Sequence, residues 1–131
     1  MTSDVLYGRL LLFAKDSQTL VKKLPRNTYN IEYSSQLIRS SSSPGANYIE
    51  AIEASSKNEF IYRLYVCKKE LRESIHWLLL IKHANDDLLD TVHKIDDLIN
   101  EVKELIKIYS SSIDTAKKKQ NAVKLKMINE K

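Results

Sequence analysis

The stretch Arg39 to Asn47, RSSSSPGAN, decides what this chain can become. Four serines, a proline and a glycine ordinarily mark a loop. Yet Ile31, Ile38, Gly45 and Ile52 stand seven residues apart across it, with Ile49 in the same phase. A linker has no reason to keep helical phase, so the spacing predicts one long helix, bent at Pro44, rather than two helices and a joint. Pro44 has no N–H, so the Ser40 carbonyl loses its helical partner, which favours a bend. Serine hydroxyls or water can compensate.

Three further helical segments surround this one. Leu6, Leu10, Phe13, Ser17, Leu20 and Leu24 form one stripe after a cap at Ser3 or Asp4, ended by Pro25. Ser56 to Glu59 is a capping box, with Phe60, Leu64, Cys67, Leu71, Ile75 and Leu78 as the core stripe behind it. Ile61, Tyr65, Val66, Trp77, Leu79 and Ile81 lie off that stripe and predict a second buried face, against another subunit. After the turn HANDD, Asn85 is the expected cap of a heptad of Leu88, Val92, Ile95, Ile99, Val102, Ile106 and Tyr109. The expectation is an all-α, antiparallel up-down four-helix bundle at 1–113, with helices at about 4–24, 28–55, 57–84 and 86–112. Residues 114–131 form a basic tail, frayed helix or disordered.

Composition narrows the function classes. The chain has 131 residues, enough for one core. A single cysteine, Cys67, excludes an internal disulfide and fits a cytoplasmic setting. No secretory signal is read at the start, and no apolar run approaches the ~20 residues of a membrane span. The net charge of +4 is the charge of the tail after Ile113, since the rest sums to zero. Within the body, Ser56–Ala84 is basic and Asn85–Ile113 acidic, so the last two helices should attract.

No catalytic constellation emerges. His76, His83 and His93 lack zinc-site spacing, and Glu73-x-x-His76 occurs once where a di-iron bundle would need two. The serine run has no identifiable base. No cofactor or metal is expected, and the chain is read as a non-enzyme. Arg39, Ser43, Asn47 and Glu50 make a polar stripe beside the isoleucines; Arg39 and Glu50 need partners on other helices or other subunits, and Glu73 and Arg63 on the third helix are candidates. A structural network is the favoured reading over a catalytic site. For nucleic acid the candidates are Lys68, Lys69 and Arg72, and Lys117, Lys118, Lys119, Lys124 and Lys126 in the tail. The seven tyrosines show no evident stacking platform.

These residues also carry a resemblance. Gln36, Leu37, Arg39, Ser40, Ser43, Asn47 and Glu50, followed by Glu59, Phe60, Leu64, Tyr65 and Glu73, resemble the pattern of the four-helix-bundle proteins of the ribosomal (23S rRNA) intervening-sequence family, S23-like proteins of bacteria. LVKKLPRN at 20–27 is similar to the end of that family's first helix. Ala51 stands where the family commonly has glycine, and Lys69 and Glu70 where it often has Gly-Ser. The resemblance implies an up-down bundle assembling as a ring, commonly a homopentamer, without enzyme activity. A related protein, the accessory variability determinant of diversity-generating retroelements, is a basic pentamer that binds nucleic acid and a reverse transcriptase. The expected function is therefore a homo-oligomer binding RNA or DNA through basic residues. The alternative is an oligomeric adaptor for a protein partner.

Overall fold

The computed structural model describes residues 1–130. Four helices account for nearly all of them: α1 (Ser3–Lys22), α2 (Thr28–Ile52), α3 (Lys57–Ala84) and α4 (Leu89–Asn129). Short connections force antiparallel neighbours. Each helix packs on the next and α4 closes on α1, while the backbones of the diagonal pairs stay apart. The α2–α3 face is the most extensive and the α1–α4 face the least. No helix among the described residues is long and apolar enough to cross a membrane.

The helix ends follow local chemistry. Thr2 caps α1, its side chain accepting from the Val5 N–H at 3.2 Å, which places the cap before Ser3 and Asp4. Asn27 caps α2 by accepting from the Asn30 N–H at 2.9 Å. Ser56 accepts from the Glu59 N–H at 3.1 Å as a capping box requires, but the Glu59 carboxylate reaches back to Ser55, at 3.0 Å from both its N–H and its hydroxyl. Asn85 does not cap α4. It ends α3, and Leu88 precedes α4 with no side-chain cap bond.

Asn85 is withdrawn from that role because it is buried against Asn30. The two amides donate to each other, at 2.9 and 2.8 Å. Their remaining N–H groups reach the carbonyls of Pro25 and Ile81, both at 2.8 Å. Both donors of each amide are satisfied, so the pair ties the α1–α2 loop, the start of α2 and the end of α3 together without leaving a desolvated amide.

Helix α2 is continuous through Pro44. Its inner face, however, is not the isoleucine stripe. Ile31, Ile38, Ile49 and Ile52 are 44 to 49 % exposed. The buried residues are Asn30, Leu37, Ser40, Ser41, Pro44, Tyr48 and Ala51. One residue's step turns a helix by about 100°, so Leu37 points inward and Ile38 outward. Small residues line the α2–α3 seam on both sides: Ser74 Oγ lies 2.9 Å from Ser40 Oγ, and the Cys67 thiol donates to the Pro44 carbonyl at 3.3 Å. Gly45 is not part of this seam. It faces Tyr7 of α1, where an added Cβ would meet the ring at 3.8 Å, an ordinary contact.

The surplus apolar surface of α3 also falls differently. Ile61 and Ile81 are in the chain's own core, Val66 and Trp77 are half-buried, and only Tyr65 and Leu79 are exposed. Helix α4 buries Ile95, Leu98, Ile99, Val102, Leu105, Tyr109, Ile113 and Ala116. It then continues to Asn129, well past the end expected near 112. No glycine or proline follows Leu89, and Ala, Lys, Gln, Leu and Met all favour helix. From Asn121 to Glu130 every residue is exposed, so about 15 Å of helix stands beyond the bundle.

Candidate functional site

The polar stripe of α2 lies along the outer edge of the α2–α3 seam. Arg39 donates to Glu70 at 3.1 Å and to Glu73, joining the two helices. One turn on, Ser43 Oγ accepts from Asn47 Nδ2 at 2.9 Å, and Asn47 Oδ1 accepts from Arg63 at 3.0 Å. Arg39 with Glu70 and Glu73, and Ser43 and Asn47 with Arg63, thus form two bonded groups one turn apart along the seam. Glu50 is exposed beyond both. Glu70 was not singled out by the stripe pattern. Its signal was the three-residue spacing to Glu73 opposite Arg39 across an antiparallel seam.

The two carboxylates are driven apart in acidity. Burial, and then the neighbouring Glu73, raises Glu70 above the ordinary carboxylate range against the pull of Arg39. Glu73 is more open; although partial burial opposes it, the Arg39 hydrogen bond holds it below that range. The Arg39 guanidinium is about half exposed, so its ion pairs contribute little more than a surface pair, on the order of 0–1 kcal/mol each. They join α2 to α3 at one point of the seam.

Deeper in the bundle, Cys67 is fully buried and burial pushes its thiol up to about 12. It is a core residue with no thiolate at neutral pH. The Tyr109 hydroxyl, raised by the same burial and by facing Cys67, has no hydrogen-bond partner among the described residues. Its ring packs edge-on to Tyr48 at 6.1 Å. No group of three or more His, Cys, Asp or Glu side chains is placed to hold a metal ion among the described residues. An open surface hollow lies between the start of α1 and Ser111 of α4, away from the polar row.

The basic residues occupy two places. Lys69 and Arg72 are exposed on the outer face of α3, with Lys68 half-buried beside them. Lys117, Lys118, Lys119, Lys124 and Lys126 are exposed on the end of α4. The antiparallel α3–α4 pairing brings Lys117 to the first group: its ammonium sits 4.9 Å over the Tyr65 ring and bonds the hydroxyl. Gln120 likewise donates to Asn58 at 2.6 Å. The predicted attraction between α3 and α4 is realised in Lys82–Asp96 at 2.8 Å, and Arg9–Glu101 at 2.5 Å ties α1 to α4.

Fold and side chains together define an all-α, up-down four-helix-bundle protein whose strongest polar feature is an interhelical network. The sequence profile of the 23S rRNA-intervening sequence protein family matches residues 6–111, and the chain belongs to that family. A crystal structure of a protein of unknown function from the S23 ribosomal protein family, from Bacteroides thetaiotaomicron, is similar to it at 30 % identity and a TM-score of 0.73. The similarity covers 87 % of this chain and 99 % of that one. No curated protein matches the chain.

Proposed function

We propose that this chain is a non-enzymatic, cytoplasmic homo-oligomer that binds RNA or DNA through basic residues of α3 and of its C-terminal arm. The observation that carries this reading is the arm itself. Lys124 and Lys126 are exposed where α4 has left the bundle, and Lys117, Lys118 and Lys119 are exposed on its last packed turns, so a phosphate backbone can reach all five. The body up to Ile113 is neutral, so the arm is where the electrostatic attraction is concentrated.

The oligomer, a ring and by the family resemblance a pentamer, uses the outer face of α2 with its bend at Pro44. Support comes from Ile31, Ile38, Ile49 and Ile52, an apolar row at heptad spacing left open by the chain's own packing.

The test is binding of RNA and DNA to the full chain at low and moderate salt, compared with a chain ending at Ile113 and with the five lysines changed to glutamine. Both variants should lose most of the salt-sensitive affinity. If the full chain binds neither nucleic acid at low salt, the reading fails. A protein adaptor is the second reading, favoured by exposed Val123, Leu125, Met127 and Ile128 on the same arm. Recovery of one stoichiometric protein partner after nuclease treatment would support it instead.

A further inference from the structure

Helix α3 differs from the other three in what it shows to solvent. Along its outer line the exposed residues are Tyr62, Tyr65, Lys69, Arg72, His76, Leu79 and His83, spaced alternately by three and four. None is acidic. The helix has three carboxylates, but Glu70 is buried, Glu73 is engaged by Arg39, and Glu59 is turned back to Ser55. By contrast α1 exposes Asp4, α2 exposes Glu32 and Glu50, and α4 exposes Asp90, Asp97 and Glu104. The fold has removed every negative charge from one line and left aromatic rings and cations there.

The rings are already organised as cation-bearing platforms. The Arg63 guanidinium lies 5.7 Å from the centre of Tyr62, and Lys117 lies 4.9 Å from that of Tyr65. Both rings stay open nonetheless, Tyr62 at 59 % and Tyr65 at 41 % exposure. Further along, His76 packs edge-on to Trp77 at 4.7 Å, and Trp77 continues to Tyr33 at 6.2 Å. The line spans about 30 Å along a straight helix.

We infer that this outer line of α3 is a track for single-stranded nucleic acid, with bases stacked on Tyr62, Tyr65 and the His76–Trp77 pair and phosphates held by Lys69, Arg72, Lys68 and Lys117. This rests on the nucleic-acid reading above and narrows it. Tyrosine rings can stack only on bases whose faces are free, which a duplex conceals. Lys69 and Arg72 supply cations on the line for the backbone, and Glu73, which flanks Lys69, is engaged by Arg39. A protein partner would find little here, since Leu79 is the only aliphatic side chain exposed on the line.

The test is fluorescence anisotropy of the full-length chain with labelled, unstructured oligouridine and oligothymidine of about 15 nucleotides, against a duplex of equal length. Single strands should bind more tightly than the duplex. Tyr62→Ala with Tyr65→Ala should weaken single-strand binding roughly tenfold or more, because each stacked base contributes substantially. Tyr62→Phe with Tyr65→Phe keeps the rings and should restore most of it. Lys69→Glu with Arg72→Glu should abolish it. All these positions are solvent-facing, and circular dichroism and particle mass of each variant should match the parent chain. A duplex bound as tightly as the single strand would overturn the inference. So would unchanged binding by the tyrosine-to-alanine pair while lysine-to-glutamine changes in the arm still remove it, an outcome that leaves the broader reading standing. No binding of any oligonucleotide at low salt overturns both.

Discussion

Glu70 and Asn85 show how much one side chain's surroundings decide. Glu70 is a carboxylate held above its ordinary acidity range by burial, so the folded chain holds its proton to higher pH than the unfolded chain does. In that window the native state binds more protons, and stability falls as pH rises through the raised value. Glu73 is shifted the other way and loses its contribution as pH falls through its lowered value. Glu70→Gln should remove the first dependence. Urea unfolding from pH 4 to 8 should show the parent chain losing stability relative to this variant as pH rises; parallel curves would contradict the assignment. Asn85→Ala leaves the buried Asn30 amide without its partner. It should cost about 1–3 kcal/mol in the same measurement.

At the scale of elements, α2 carries the lesson. Helical phase through RSSSSPGAN was legible, because the period of a pattern depends only on backbone geometry. Which face of α2 lay inward was not legible. Hydropathy assigns isoleucine to the core, but α3 presents Cys67 and Ser74, small enough that Ser40, Ser41 and Pro44 are what fit against them. Gly45 proves to be outside that close contact. Gly45→Ala should therefore stabilise the chain, by about 0.5–1 kcal/mol, since its backbone is helical with no positive φ and its Cβ has room. A fall in Tm would mean that Tyr7 cannot accommodate even a methyl group.

For the whole molecule, the outward isoleucines become the question of assembly. An apolar row of four isoleucines on one exposed helix face is more than scattered surface hydrophobicity. Ile38→Asp should leave helicity intact, since Ile38 supports no core contact of its own chain. Light scattering should then give the mass of a single chain where the parent gives a multiple. A parent particle of one chain's mass would remove the homo-oligomer and leave α2's outer face unexplained.

Helix number, order and antiparallel pairing were determined by the sequence alone, since they follow from local period, caps and short connections. For Arg39 the sequence offered Glu73 as one candidate partner on α3, and the structure pairs them. The tertiary structure alone decided the inner face of α2, the Asn30–Asn85 pair and the burial of Glu70. Each depends on what lies opposite in space. It also decided that the carboxylates of α3 are withdrawn while Tyr62, Tyr65, Lys69 and Arg72 remain outside, a separation of charge that no one-dimensional count of residues can express.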